Sequence, residues 1–131
     1  SERIATALDS GDPEDEHSCF SDQTHHDIRA NFNGIRNVYL GIGLNSIKFS
    51  PSISEIVAKK NPALDSAIIK LLEKTSNSID KITIPFDKML SEPESGLGRM
   101  AAEETVSNLL AIAEKIKLAG NDLNWNIIIA E

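Results

Sequence analysis

Apolar residues recur along most of this 131-residue chain in steps of three and four, the spacing that places side chains on one face of an α-helix. The clearest run is Ile28, Phe32, Ile35, Tyr39 and Ile42, which predicts a bundle helix over 23–45. Leu64, Ala67, Ile68, Leu71, Leu72, Ile79 and Ile82 predict a second over 61–82, with Asn61 as its cap and Pro62 at its first position. Ala102, Val106, Leu109, Ala113 and Ile116 predict a third over 94–119. Ile4 and Leu8 lie four apart among alanines and give two turns of a helix over 1–9. Two turns are unstable alone in water, so that helix is expected to begin upstream. Ser52 followed by Glu55 at the third position marks a brief helix over 52–59. The turn region at Pro85-Phe86-Asp87 and Glu92-Pro93-Glu94 holds at most one short helix. The pattern is all-α, an up-and-down helical bundle, in one domain spanning 1–131.

Two details refine the picture. Gly34 and Gly41 fall seven apart on the 23–45 helix. Each costs about 1 kcal/mol relative to Ala, so close approach of another helix, or room for a ligand, is expected there. Gly120-Asn121-Asp122 should end the last helix. Beyond it, Trp125 and Ile127-Ile128-Ile129 are β-like in propensity and should dock on the body.

Charge narrows the functional classes. Twenty acidic residues against 13 basic give a net charge of −7, which argues against a phosphate-binding surface and against nucleic acid. One Trp, one Tyr and four Phe leave little for base stacking. A single cysteine cannot form an internal bridge. No apolar run approaches the roughly 18–20 residues of a membrane span. The chain opens on Ser1-Glu2-Arg3 without Met, as a processed or cut piece that has lost any targeting segment would.

The chemistry is concentrated in 14–27, which holds all three histidines (His17, His25, His26), Cys19 and five carboxylates. The 14–22 part has no hydrophobic period and reads as an ordered loop. Ser21 or Asp22 could cap the helix that follows, or Thr24 with Asp27 could form a capping box. Asp22 and His25, three apart at a helix N-terminus, should approach each other. The partial positive charge there favours a carboxylate and a neutral imidazole, which suits His25 as ligand or base. His26 points about 100° away on the helix, towards solvent, and Phe20 and Cys19 read as core fillers. Arg99, a cation in the first turns of the last helix, should pair with a carboxylate or an anionic ligand. No His-Glu-x-x-His zinc helix, Gly-x-Ser-x-Gly elbow or phosphate loop is present.

Glu14-Asp15-Glu16-His17-Ser18-Cys19-Phe20-Ser21-Asp22, with Thr24-His25 and Asp27-Ile28, resembles the signature run of the imelysin family. Asn33 to Gly41, Pro85-Phe86-Asp87 and Gly98-Arg99 resemble later segments of that family. The resemblance implies the C-terminal half of a protein built from two helical-bundle halves, whose site forms where the halves meet. It implies a bacterial envelope protein tied to iron uptake, at the periplasm or outer-membrane surface of a Gram-negative bacterium. Classification of the family as peptidases makes a metallopeptidase the alternative; a helical interaction module without metal is the third reading. The implied cofactor is iron or another divalent metal in a site incomplete here, with His17 and His25 as ligands. Glu16, Ser18, Ser21, Asp22 and Arg99 are the implied ligand-binding residues, and catalytic residues stay unassigned. The implied partners are the N-terminal half and a second copy. No His-x-x-Glu occurs, since Phe20, Ile28 and Arg29 stand three after the histidines. Gln23 stands where the family usually has Asn, and 44–60 has no counterpart.

Overall fold

The computed structural model describes residues 2–125. It is all-α, a helical bundle of six α-helices with no strand among the described residues. In chain order these are α1 (Glu2–Ser10), α2 (Thr24–Leu40), α3 (Ile53–Lys60), α4 (Pro62–Ile79), α5 (Phe86–Leu90) and α6 (Leu97–Asp122), with single 3-10 turns at Pro13–Asp15 and Leu44–Ser46.

Local signals fix the starts of α3 and α4 as expected. The Ser52 hydroxyl accepts from Glu55 N while the Glu55 carboxylate accepts from Ser52 N, completing the capping box. Asn61 Oδ1 accepts from Leu64 N, and Pro62 occupies the first turn. The start of α6 is built differently. Gly96 provides no side-chain cap; instead Glu92 Oε2 accepts from Gly98 N and Arg99 N at 2.9 and 3.1 Å. That carboxylate, held also by the Thr83 hydroxyl, satisfies two of the free N–H groups every helix start leaves over.

Side-chain links give the directions. Asn61 at the start of α4 reaches Asp122 at the end of α6, while Ser78 near the end of α4 meets Thr105 early in α6. These two helices are therefore antiparallel. Arg29 pairs with Asp80 and Tyr39 with Asp65, which sets α2 antiparallel to α4 and parallel to α6. The α4–α6 pair makes the most extensive helix contact. Its seam combines Ile68, Leu72, Ala101 and Ile112 with the buried polar residues Thr75, Ser78, Thr105 and Asn108. The three hydroxyls are paired: Thr75 donates to Leu71 O, Ser78 to Thr75 O, and Thr105 lies 2.8 Å from both Ser78 Oγ and Ala101 O. Phe32, Phe86 and Met89 fill the remaining core.

A second buried polar knot ties α2, α3 and α4 together. Asp65 Oδ1 accepts from Tyr39 OH at 2.8 Å and from Ser54 Oγ at 2.7 Å. Burial, with the Asp65 charge beside it, pushes the Tyr39 phenol well above its ordinary range, so it serves there as a permanent donor.

Several expectations change. The 23–45 helix stops at Leu40, because Gly41 takes the left-handed conformation (φ 67°) and Ile42 N bonds back to Asn37 O. That closure is the glycine stop common at helix ends. Gly41 therefore admits a loop, not another helix: a Cβ there would lie 2.6 Å from Phe49 O. Gly34 faces open space. Ile35 is exposed, so the buried face of α2 is narrower than its apolar pattern. The last helix starts at Leu97 and runs through Gly120 to Asp122, where Asn124 (φ 58°) turns the chain and Trp125 N bonds to Gly120 O. The Ile127-Ile128-Ile129 docking expectation lies outside the described residues.

Candidate functional site

The 3-10 turn starts at Pro13, with Asp12 Oδ1 accepting from Glu14 N, and the polar loop then runs to Gln23 across the start of α2. Neither capping arrangement expected for α2 forms. Gln23 holds the cap position without a side-chain bond to the helix, its Nε2 donating back to Ser21 O at 3.3 Å, and Asp22 sits exposed in a left-handed turn (φ 51°). Thr24 and Asp27 turn instead towards the loop. Thr24 Oγ1 accepts from Ser18 N at 3.0 Å, and the Asp27 carboxylate accepts from the Ser18 hydroxyl. The same Asp27 oxygen lies 3.7 Å from His17 Nε2. Ser21 Oγ donates to Ser18 O at 3.3 Å. Ser18 is thus the knot that holds the loop against α2.

This arrangement leaves polar atoms without partners. Glu16 is buried and its Oε2 has no hydrogen-bond partner; Nδ1 of His17 and Nδ1 of His25 are likewise buried and unpaired. Each such group costs roughly 1–3 kcal/mol, so the loop carries unmet polar capacity. Phe20, read as core, is fully exposed, while Cys19 is half-buried.

The signature residues do not converge. His17, Thr24 and Asn31 line a cleft of about 540 Å³ between α2 and α6, walled by Ile4, Ile28, Phe32, Leu109 and Ile112. An adjoining hollow of about 600 Å³ shares Asn31, Ile35 and Ile116 and continues to Val38, Leu123 and Trp125. Together they form one apolar groove beside α2. His25 lines a different, smaller cleft with His26, Arg29, Asp80 and Ile84. His26 is exposed, as expected, although its ring lies 4.2 Å from that of His25. Arg99 lines neither cleft. Its guanidinium donates to Leu8 O at 2.9 Å, and its Nε is 3.4 Å from Glu103, charge-paired but not aligned as a hydrogen bond. It is a cation at the start of α6 that serves one carbonyl, Leu8 O, in the last turn of α1, where positive charge is favourable. Because Leu8 meets Arg99 while Glu2 to Ile4 share the cleft with Leu109 to Ile116, α1 runs antiparallel to α6.

Asp27, expected as the partner of Thr24 in a capping box and as part of the signature run, instead clamps the preceding loop through Ser18. The signal available was its position, three after Thr24, but periodicity could not tell a cap from a clamp on the preceding loop. As to a metal, the donor set does not complete a site: among the described residues no three of His, Cys, Asp and Glu stand together as ligands. His17 and Asp27, 3.7 Å apart, are two such side chains side by side.

The fold and this loop define a class: an all-α bundle whose His- and carboxylate-rich loop is clamped over the start of its second helix. A model of the imelysin peptidase family matches residues 1–116, and the chain belongs to the imelysin family. No curated protein matches it. No helix among the described residues is long and apolar enough to cross a membrane.

Proposed function

We propose that this chain is the C-terminal half of an imelysin-like envelope protein, at the periplasm or outer-membrane surface of a Gram-negative bacterium. It binds a metal or an iron-bearing ligand of the uptake process at the face that meets an N-terminal half. The observation that carries this reading is His17, with its buried unpaired Nδ1, opening on an apolar groove. Hard donors such as imidazole and carboxylate suit iron, and His17 with Asp27 would be this half's share of them. The apolar walls at Ile35 and Val38, exposed here, are the surface that a second half would cover; contiguous exposed apolar patches are uncommon on monomers.

Isothermal titration of Fe(II) and of Zn(II) tests the reading, first into this chain and then into an equimolar mixture with the N-terminal half. The expected result is weak, non-stoichiometric heat alone, and one tight site in the mixture that His17→Ala abolishes. Tight one-to-one binding by this chain alone would overturn the split site.

A further inference from the structure

We infer that this chain carries an occupant for its own groove: the segment after Trp125, with Ile127, Ile128 and Ile129, packs back into the hollow walled by α2, α3 and α6. The path of the chain at the end of α6 leads there. Trp125 N donates to Gly120 O at 2.7 Å and Asn124 takes a left-handed turn (φ 58°), the closure that redirects a chain at a helix end. It brings Trp125 onto the hollow, which that residue lines together with Leu123, Ile116, Val38 and Ile35. The chain therefore leaves the described residues at the rim of the groove, not at a remote face.

Chemistry and reach then match. No residue lining the hollow is charged, and Gly34 leaves a gap in its α2 wall, where an added Cβ would meet nothing within 4 Å. A glycine inside a helix lowers its stability, so that room is kept at a cost. The segment 126–131 reads Asn-Ile-Ile-Ile-Ala-Glu, uncharged over its first five residues. Three successive isoleucines left in water oppose the hydrophobic effect, and the apolar surface at their point of departure is this hollow, with Val38 68 % exposed. Six extended residues span up to about 20 Å, while α6 rises about 16 Å from Gly120 back to Leu109. The segment is thus long enough to follow the groove past Ile116. A tether holds it at an effective concentration on the order of millimolar, above that of a second copy at micromolar protein. The inference shares its groove with the proposed function: a second half would have to displace this segment from Ile35 and Val38.

Cross-linking with a short bismaleimide tests it, in a Cys19→Ser background of the full chain. Val38→Cys with Ile128→Cys should link within one chain at least tenfold more than Lys70→Cys with Ile128→Cys, because Lys70 is exposed on α4 and outside the hollow. In the otherwise unchanged chain, Ile127→Asp with Ile129→Asp should raise the fluorescence of added anilinonaphthalene sulfonate at least threefold as the hollow opens, with the helical circular dichroism spectrum retained. Equal linking of the two pairs, or a dye signal that the double variant leaves unchanged, overturns the inference. So does a link that forms only between chains, which would place the segment in the groove of a second copy. These readouts use neither metal nor a second half. Their failure leaves the titration of the mixture standing, and a failed titration leaves them standing.

Discussion

The two loops that flank α2 invert the usual sorting of residues in opposite senses. The loop before it is polar and is drawn inward, with Glu16 buried and His17 and Ser18 half-buried. The loop after it is apolar and is pushed outward, with Leu44, Ile47 and Phe49 exposed. Both are fixed by their own hydrogen bonds, Ser18 to Thr24 and Asp27 in the first, Gly43 to Ile47 and Phe49 to Gly41 in the second. Burial of unpaired polar groups and exposure of large apolar ones both cost stability. Where local structure enforces such costs, the molecule offers something to a ligand or a surface. The α4–α6 seam is a partial contrast: Thr75, Ser78 and Thr105 are buried and bonded there, while Asn108 Nδ2 is buried without a partner.

The comparison breaks most visibly at Gly41. Gly41→Ala places a Cβ 2.6 Å from Phe49 O and 2.8 Å from the Ser52 Cβ, on a backbone at φ 67°. The left-handed penalty and the overlap together should cost roughly 2–4 kcal/mol. Urea unfolding would read this as a lower midpoint. A loss below about 0.5 kcal/mol would show that the second loop is not rigidly built.

The matching test of the first loop is Asp27→Ala. It removes the acceptor for the Ser18 hydroxyl and the charge beside His17, at an expected cost of about 1–2 kcal/mol. The His17 imidazole resonance should broaden as the loop loosens, with α2 otherwise intact by circular dichroism. An unchanged unfolding midpoint with an unchanged His17 signal would dismiss the clamp.

Acid sharpens the comparison on the far side of the second loop. Donation from the Ser50 hydroxyl, and then from Ser52 N, holds the Glu55 carboxyl below its ordinary value of 4.5. A group whose folded value is depressed stabilises the fold above its unfolded value, and that contribution disappears as pH falls through the folded value. Stability should therefore hold steady above about pH 4.5 in this respect and decline below it. Many other carboxylates protonate in the same window, so the informative quantity is the difference between wild type and Glu55→Gln. The urea midpoints of the two proteins should converge as the solution is acidified. A constant gap across the range would mean that the Ser50–Ser52 bonds are not made in solution.

How much of this was legible in the chain depended on distance along it. The Ser52–Glu55 box and the Asn61-Pro62 start were plain, because each is complete within four residues. The end of α2 was missed because Ile42 stays in phase with the apolar run, while the stop depends on a backbone angle at Gly41. The buried faces of α4 and α6 were read from their aliphatic residues alone. Thr75, Ser78 and Thr105 could sit there because their hydroxyls bond to carbonyls of their own helices and to each other, which no spacing rule announces. At the candidate site, the concentration of His17, Ser18 and Asp27 was legible; that His17 and His25 open on different clefts was not, since both flank a loop whose path only the folded chain fixes.

The smallest effect is expected at Phe20, and it bears on the proposed second half. Phe20 is 100 % exposed, directly after Glu16, His17, Ser18 and Cys19, the inward part of that loop, so it contributes no buried area to this chain. Phe20→Ser should change stability by less than about 0.5 kcal/mol, as for other surface sites that touch nothing. The measurement is the urea midpoint at two protein concentrations tenfold apart. If wild type gains stability with concentration and Phe20→Ser does not, the side chain is covered by a second copy in solution. If neither depends on concentration, the comparison moves to the equimolar mixture with the N-terminal half, where the substitution should weaken association at least fivefold. Equal association of variant and wild type would show that Phe20 lies outside the surface where the halves meet, and would leave the exposed face of the first loop without that partner.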